Sequence, residues 1–142
     1  MARPALVIDA SIGVKWFSGK DESTLRQALA IRDSHISESK LIIVPDLFYY
    51  EVTNALIHKK FIPTDLILAA TSALFALELN TVLIDAGMLE SSVNIARKLN
   101  ITIYDSCYIA LARRNNCPLI TANPRHQVQV PGCRVIPLEE WQ

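Results

Sequence analysis

Short apolar runs alternate with longer periodic stretches along this chain. Aliphatic and β-branched residues cluster at 5–8 (ALVI), 41–44 (LIIV), 81–84 (TVLI), 118–121 (PLIT) and, more weakly, 134–137 (RVIP). Each run has strand length and is bounded by polar or turn-forming residues. The stretches between them repeat at helical spacing. A helix-like segment follows Asp9, and residues 22–36 carry Leu25, Ala28, Leu29 and Arg32 on one side. Residues 46–60 follow Pro45, and Pro63-Thr64-Asp65 opens a very apolar helix through Leu77. Leu89, Val93, Ala96 and Leu99 share a face of 88–99, which ends at Asn100, and a last helix covers 106–115. Strands that alternate with helices, in runs apolar enough to be covered on both faces, predict a three-layer α/β/α domain. Its central sheet is mostly parallel, with four to five strands. No repeat or linker divides the pattern, so 1–142 reads as a single domain.

Composition narrows this only slightly. With 142 residues the chain can bury roughly two-thirds of its unfolded surface. Hydrophobic residues make up 51% and charged residues 20%. Fourteen basic and fourteen acidic residues cancel, so a nucleic-acid contact would have to come from a local patch. Cys107, Cys117 and Cys133 form no CxxC pair and read as free thiols in a reducing compartment. The apolar runs are too short for a signal peptide or a membrane span, which predicts a cytoplasmic protein.

The chemistry lies where acids meet the ends of strands. Parallel strands share one C-terminal edge, and open α/β folds bind ligands there. Asp9 ends the first run, and Glu51 and Asn54 follow the second within "PDLFYYEVTNAL". Asp105 stands at the junction into the last helix in "ITIYDSCYIALA", and Thr121 and Asn123 close "LITAN". Asp also caps helices by accepting a backbone N–H. Asp21, Asp46 and Asp65 are read that way, while Asp9 and Asp105 fit either a cap or a site, and Glu51 either a site or an exposed position. If the three acids converge they need compensation, since two carboxylates 4 Å apart repel by about 4 kcal/mol at an effective dielectric near 20. A divalent cation supplies it. Oxygen-only ligands suit Mg2+ or Mn2+, and no zinc-like His/Cys spacing competes.

These residues carry a family resemblance. "VIDASI", "PDLFYYEVTNAL", "ITIYDSCYIALA" and "PLITAN", in that order and spacing, resemble a PIN domain along essentially the whole chain, and most closely the VapC-type toxin ribonucleases. The resemblance implies a metal-dependent nuclease with a parallel sheet, in which Asp9, Glu51 and Asp105 hold the metal and are catalytic. Ser11, Asn54 and Thr121 would be small polar neighbours that orient carboxylates or a metal-bound water. The family usually has a fourth acid near position 123. Here Asn123 stands there, able to offer a neutral oxygen and grouped with Ser11, Asn54 and Thr121 beside the acids, followed by Pro124, Arg125, His126 and Gln127, with no carboxylate before Glu139.

The expected activity is Mg2+- or Mn2+-dependent hydrolysis of RNA by the toxin of a toxin–antitoxin pair, weakened by the absent acid. An RNA-processing PIN nuclease without an antitoxin, or a PIN-like module that binds RNA or protein without cutting, are the alternatives. Lys15, Arg113, Arg114 and Arg125 are candidate phosphate contacts. Phe48, Tyr49 and Tyr50 are read as core rather than as a base-stacking platform. The apolar helix 66–79 is either central core or a self-association surface. A small antitoxin protein and a homodimer are the expected assemblies, with no membrane partner.

Overall fold

The computed structural model describes residues 3–18, 23–123, 125 and 129–142. The expected caps and loop residues Asp21, Pro124, His126 and Gln127 therefore lie outside the described residues.

Ala5–Ile8 forms β1, and α1 (Ala10–Ser18) starts two residues later. α2 (Leu25–Ile36) leads to β2 (Leu41–Pro45), and α3 (Leu47–His58) follows at once. Pro63 precedes α4 (Thr64–Ala76), where a missing N–H costs nothing. β3 is short, Asn80–Val82. α5 (Ala86–Leu99) is closed by Asn100 in the left-handed conformation, φ 55°, and α6 (Ile103–Arg114) is capped by Thr102. β4 (Leu119–Thr121) and β5 (Val135–Pro137) complete the chain before a 3-10 turn at Leu138–Glu140.

All five strands are parallel in the order β3-β2-β1-β4-β5, and helices flank the sheet. The two halves of the chain wind outward from β1 in opposite directions. The topological switch point, where an open α/β sheet leaves a crevice at its C-terminal edge, therefore falls between β1 and β4. Leu6, Val7, Ile8, Ile42, Val44, Leu119 and Ile120 are all buried, as strands covered on both faces must be.

Helix packing fixes where the acids stand. α1 crosses α3 so closely that a Cβ on Gly13 would lie 2.7 Å from Phe48 Cζ and 2.8 Å from Val52 Cγ2. Trp16 Nε1 donates to the Ala28 carbonyl at 2.9 Å and ties α1 to α2. His35 is buried between α2, β2 and the end of α4. Its Nδ1 accepts from the Ile42 N–H at 3.1 Å, and Nε2 lies 3.1 Å from the Leu77 carbonyl oxygen.

Several expectations change. The apolar run at 81–84 is an edge strand only as far as Val82; Leu83 and Ile84 are exposed beyond it. α4 is not a core helix, because only Ala70 and Leu74 are buried while Leu66, Leu68 and Phe75 face outward. Phe48 is core, Tyr49 stacks on Phe75 with ring centres 4.6 Å apart, and Tyr50 is 77% exposed. Asp46 and Asp65 make no side-chain cap bond; Asp85 does, accepting from the Met88 N–H at 2.8 Å.

Candidate active site

The register that pairs Ile8 with Ile120 sets Asp9 and Thr121 side by side at the switch point. Asp9 is only 2% exposed. Thr121 Oγ1 donates to its Oδ2, and the Ser11 hydroxyl donates to Oδ1 together with the Ser11 N–H at 3.1 Å. Each hydroxyl is itself an acceptor for the loop after β4: Ala122 N–H reaches Ser11 Oγ at 2.9 Å, and Asn123 N–H reaches Thr121 Oγ1 at 2.9 Å. With backbone donors on their lone pairs, both hydroxyls aim their single proton at Asp9. The two readings of Asp9 thus merge: it caps α1 through Ser11 and is also a buried, oriented carboxylate.

Glu51 stands half-buried on α3, and the Tyr108 hydroxyl donates to its Oε1 at 2.6 Å. Asp105 is half-buried in the first turn of α6, where a negative charge is favoured by the helix dipole. It is not the cap. Thr102 caps the helix by accepting from the Asp105 N–H at 3.0 Å. α6 runs down to β4, so its first turn lies toward the C-terminal edge of the sheet.

Cys107 and Tyr108 on α6 both feel the charges of the candidate acids. Burial pushes the Cys107 thiol up to about 12, and the charges of Glu51, Asp105 and Asp46 push it the same way. Burial raises the Tyr108 phenol well above its ordinary range, with Glu51's charge and hydrogen bond, then Cys107 and Asp9, adding to it. The phenol therefore stays a donor and the thiol stays protonated.

Among the described residues, no three His, Cys, Asp or Glu side chains are already gathered tightly enough to hold an ion. The arrangement is an open set of carboxylates braced by hydroxyl and phenol donors. That set is hard, and Cys107 contributes no thiolate, so the donors fit Mg2+ or Mn2+ rather than a sulfur-seeking ion.

The remaining candidates differ in exposure and in their contacts. Asn54 is exposed one turn beyond Glu51 and makes no side-chain hydrogen bond among the described residues. Asn123 turns its amide oxygen to the Arg125 N–H at 3.1 Å, an Asx-type turn within its own loop rather than a contact to the acids. Arg125 is exposed on that loop, and Lys15 is half-buried on α1. Arg113 and Arg114 sit at the far end of α6, about 12–14 Å along the helix from Asp105 at 1.5 Å per residue. Arg114 grips Asp85 with two bonds, 2.7 and 2.8 Å, and Arg113 lies against Gly132. Both stand at the end of α6 away from Asp105, with the Arg114 guanidinium engaged by Asp85. Tyr108 was missed. The signal was present: a tyrosine three residues after Asp105 in an apolar helix needs a partner for its hydroxyl.

Comparison with known proteins places the fold. The PIN domain family model matches residues 6–131. A chain of a toxin–antitoxin complex from Klebsiella pneumoniae superposes with TM-score 0.67 at 19% identity, over 90% of this chain and 94% of that one. PAE2754 from Pyrobaculum aerophilum gives TM-score 0.66 at 22% identity, over 98% and 92%. VapC20 from Mycobacterium tuberculosis, a sarcin–ricin loop cleaving toxin, gives 0.63 at 10% identity, over 82% and 87%. At these identities the likeness is one of fold. Comparison with curated proteins gives no match.

Proposed function

The chain belongs to the PIN domain family, and from that premise we propose that it is a Mg2+- or Mn2+-dependent ribonuclease, the toxin of a toxin–antitoxin pair. The observation that carries the reading is the buried Asp9 carboxylate, aimed by Ser11 and Thr121 at the β1/β4 switch point. Asp9, Glu51 and Asp105 would hold the ion. A bound ion supplies acidified water and positive charge for the phosphodiester oxygens.

The chain's own groups do the rest. The Ser11 and Thr121 hydroxyls keep both Asp9 oxygens oriented, and Tyr108 orients Glu51. The post-β4 loop, threaded through Ser11 Oγ and Thr121 Oγ1, carries Arg125 on the same edge as a contact for the RNA backbone. A small antitoxin partner is supported by the neighbouring fold from the Klebsiella pneumoniae complex. A homodimer is supported by apolar side chains left exposed on α4 and beyond β3, among them Phe75 and Leu83.

A second reading rests on Asn123. Its side chain is an amide, not a carboxylate, and its oxygen accepts from the Arg125 N–H, which favours a module that binds RNA without cutting it. One assay separates the two: RNA incubated with Mg2+, with Mn2+ and with EDTA, beside Asp9→Asn. The nuclease reading expects cleavage with either ion, none with EDTA and none by the variant. Retained RNA binding without cleavage supports the second reading. Cleavage that survives in Asp9→Asn sinks the assigned site.

A further inference from the structure

We infer that Tyr108 is a strut between α3 and α6 that sets the position of Glu51 relative to Asp105, and so is a positioning residue for the ion-holding acids. This rests on the reading of Asp9, Glu51 and Asp105 as an ion site.

The geometry is specific. Glu51 and Tyr108 are 57 residues apart, on different helices, and are joined by a 2.6 Å bond. Asp105 and Tyr108 are three residues apart on α6, which puts them on one helix face about a turn from each other. Tyr108 thus shares a rigid element with one acid and holds the other by hydrogen bond. A glutamate has three rotatable side-chain bonds, and the Tyr108 hydroxyl narrows the arc its carboxylate can sample about α3.

Packing alone does not account for a tyrosine here. The residue is 1% exposed, and burying a hydroxyl is costly unless it is bonded. A phenylalanine would fill the same core space at no such cost, so the hydroxyl's use is the bond to Glu51. The base of the strut is fixed as well. Ser106 Oγ donates to the Ser92 carbonyl at 2.8 Å and ties α6 to α5, while the Thr102 cap holds the first turn. Side groups that orient carboxylate ligands are worth roughly 10–100-fold in metal affinity.

Tyr108→Phe tests this, because it removes the hydroxyl and keeps the ring. Calorimetric titration with Mn2+ should show about tenfold weaker binding than wild type, with thermal melting still cooperative. Tyr104→Phe, exposed on the same helix, should leave the affinity unchanged. RNA cleavage by Tyr108→Phe should need about tenfold more Mn2+ yet approach the wild-type rate at saturation, which a residue acting in the chemical step would not allow. Unchanged Mn2+ affinity, or a saturating rate that falls while affinity holds, overturns the proposal. If the wild type binds no Mn2+, the ion-site reading fails, and the strut is judged without metal. Urea unfolding of Tyr108→Phe, Glu51→Met, which has no carboxylate acceptor at similar length, and the double variant should then show non-additive midpoint shifts, and additive ones would refute the strut.

Discussion

Asp9 carries two loads that are usually separate. It closes the N-terminus of α1 through Ser11 and presents a carboxylate whose two oxygens are both already addressed. Hydrogen bonds to charged groups contribute about 1.5–3 kcal/mol, more than neutral ones. Thr121→Val should therefore lower unfolding free energy by about 2 kcal/mol, because it strips a donor from a buried anion at nearly constant volume. Thr121→Ser should stay close to wild type. Equal urea midpoints for the two variants would show that the hydroxyl does not support Asp9. Ser11 was read from the resemblance, whereas Asp9 and Thr121 were legible from sequence because strand ends in a parallel sheet share an edge. Asn123 and Arg114 were not. Whether an amide oxygen serves the site or its own turn depends on local backbone geometry, and Arg114 finds its partner 29 residues away, across the α5–α6 hairpin.

Among elements, the closest approach is that of α1 to α3. A methyl at position 13 gains roughly 1 kcal/mol of helix propensity over glycine. It also collides with Phe48 and Val52, both fully buried and unable to step aside. Overpacking costs about 1–3 kcal/mol, so Gly13→Ala should be net destabilising by about 1 kcal/mol in denaturant unfolding, and a stabilised variant would contradict the packing. The α5–α6 hairpin is pinned differently. The Arg114 guanidinium, then the Met88 N–H, hold the Asp85 carboxyl well below its ordinary 3.8. A carboxyl depressed in the folded state lends stability that is fully present above its unfolded value of 3.8 and is lost progressively as the pH falls from there toward the folded value. The melting-temperature gap between wild type and Asp85→Asn, in which asparagine still caps α5, should shrink below that pH and shrink with added salt, since the pair is exposed. A gap independent of pH would assign Asp85 to capping alone. The helices themselves were readable from their apolar spacing, although α6 begins three residues earlier than its pattern implied. Thr102 caps it from within a run of β-branched residues that looks like strand.

For the whole molecule, the alternation of short apolar runs with helices was enough to specify a parallel sheet. The order of its strands was not in that alternation, and neither was the exposure of Leu83, Ile84 and Phe75, which depends on β3 being a three-residue edge. That order has a consequence in time. β1 leaves the ribosome early, yet one side of its ladder waits for β4, and Thr121, which aims Asp9, is 112 residues away in the chain. Glu51 likewise waits for Tyr108. No growing chain that stops short of β4 contains the finished edge, however well its first half has folded. An edge built this way does not exist in any part-made chain, and it is completed only when segments 112 and 57 residues apart have both been made and have met.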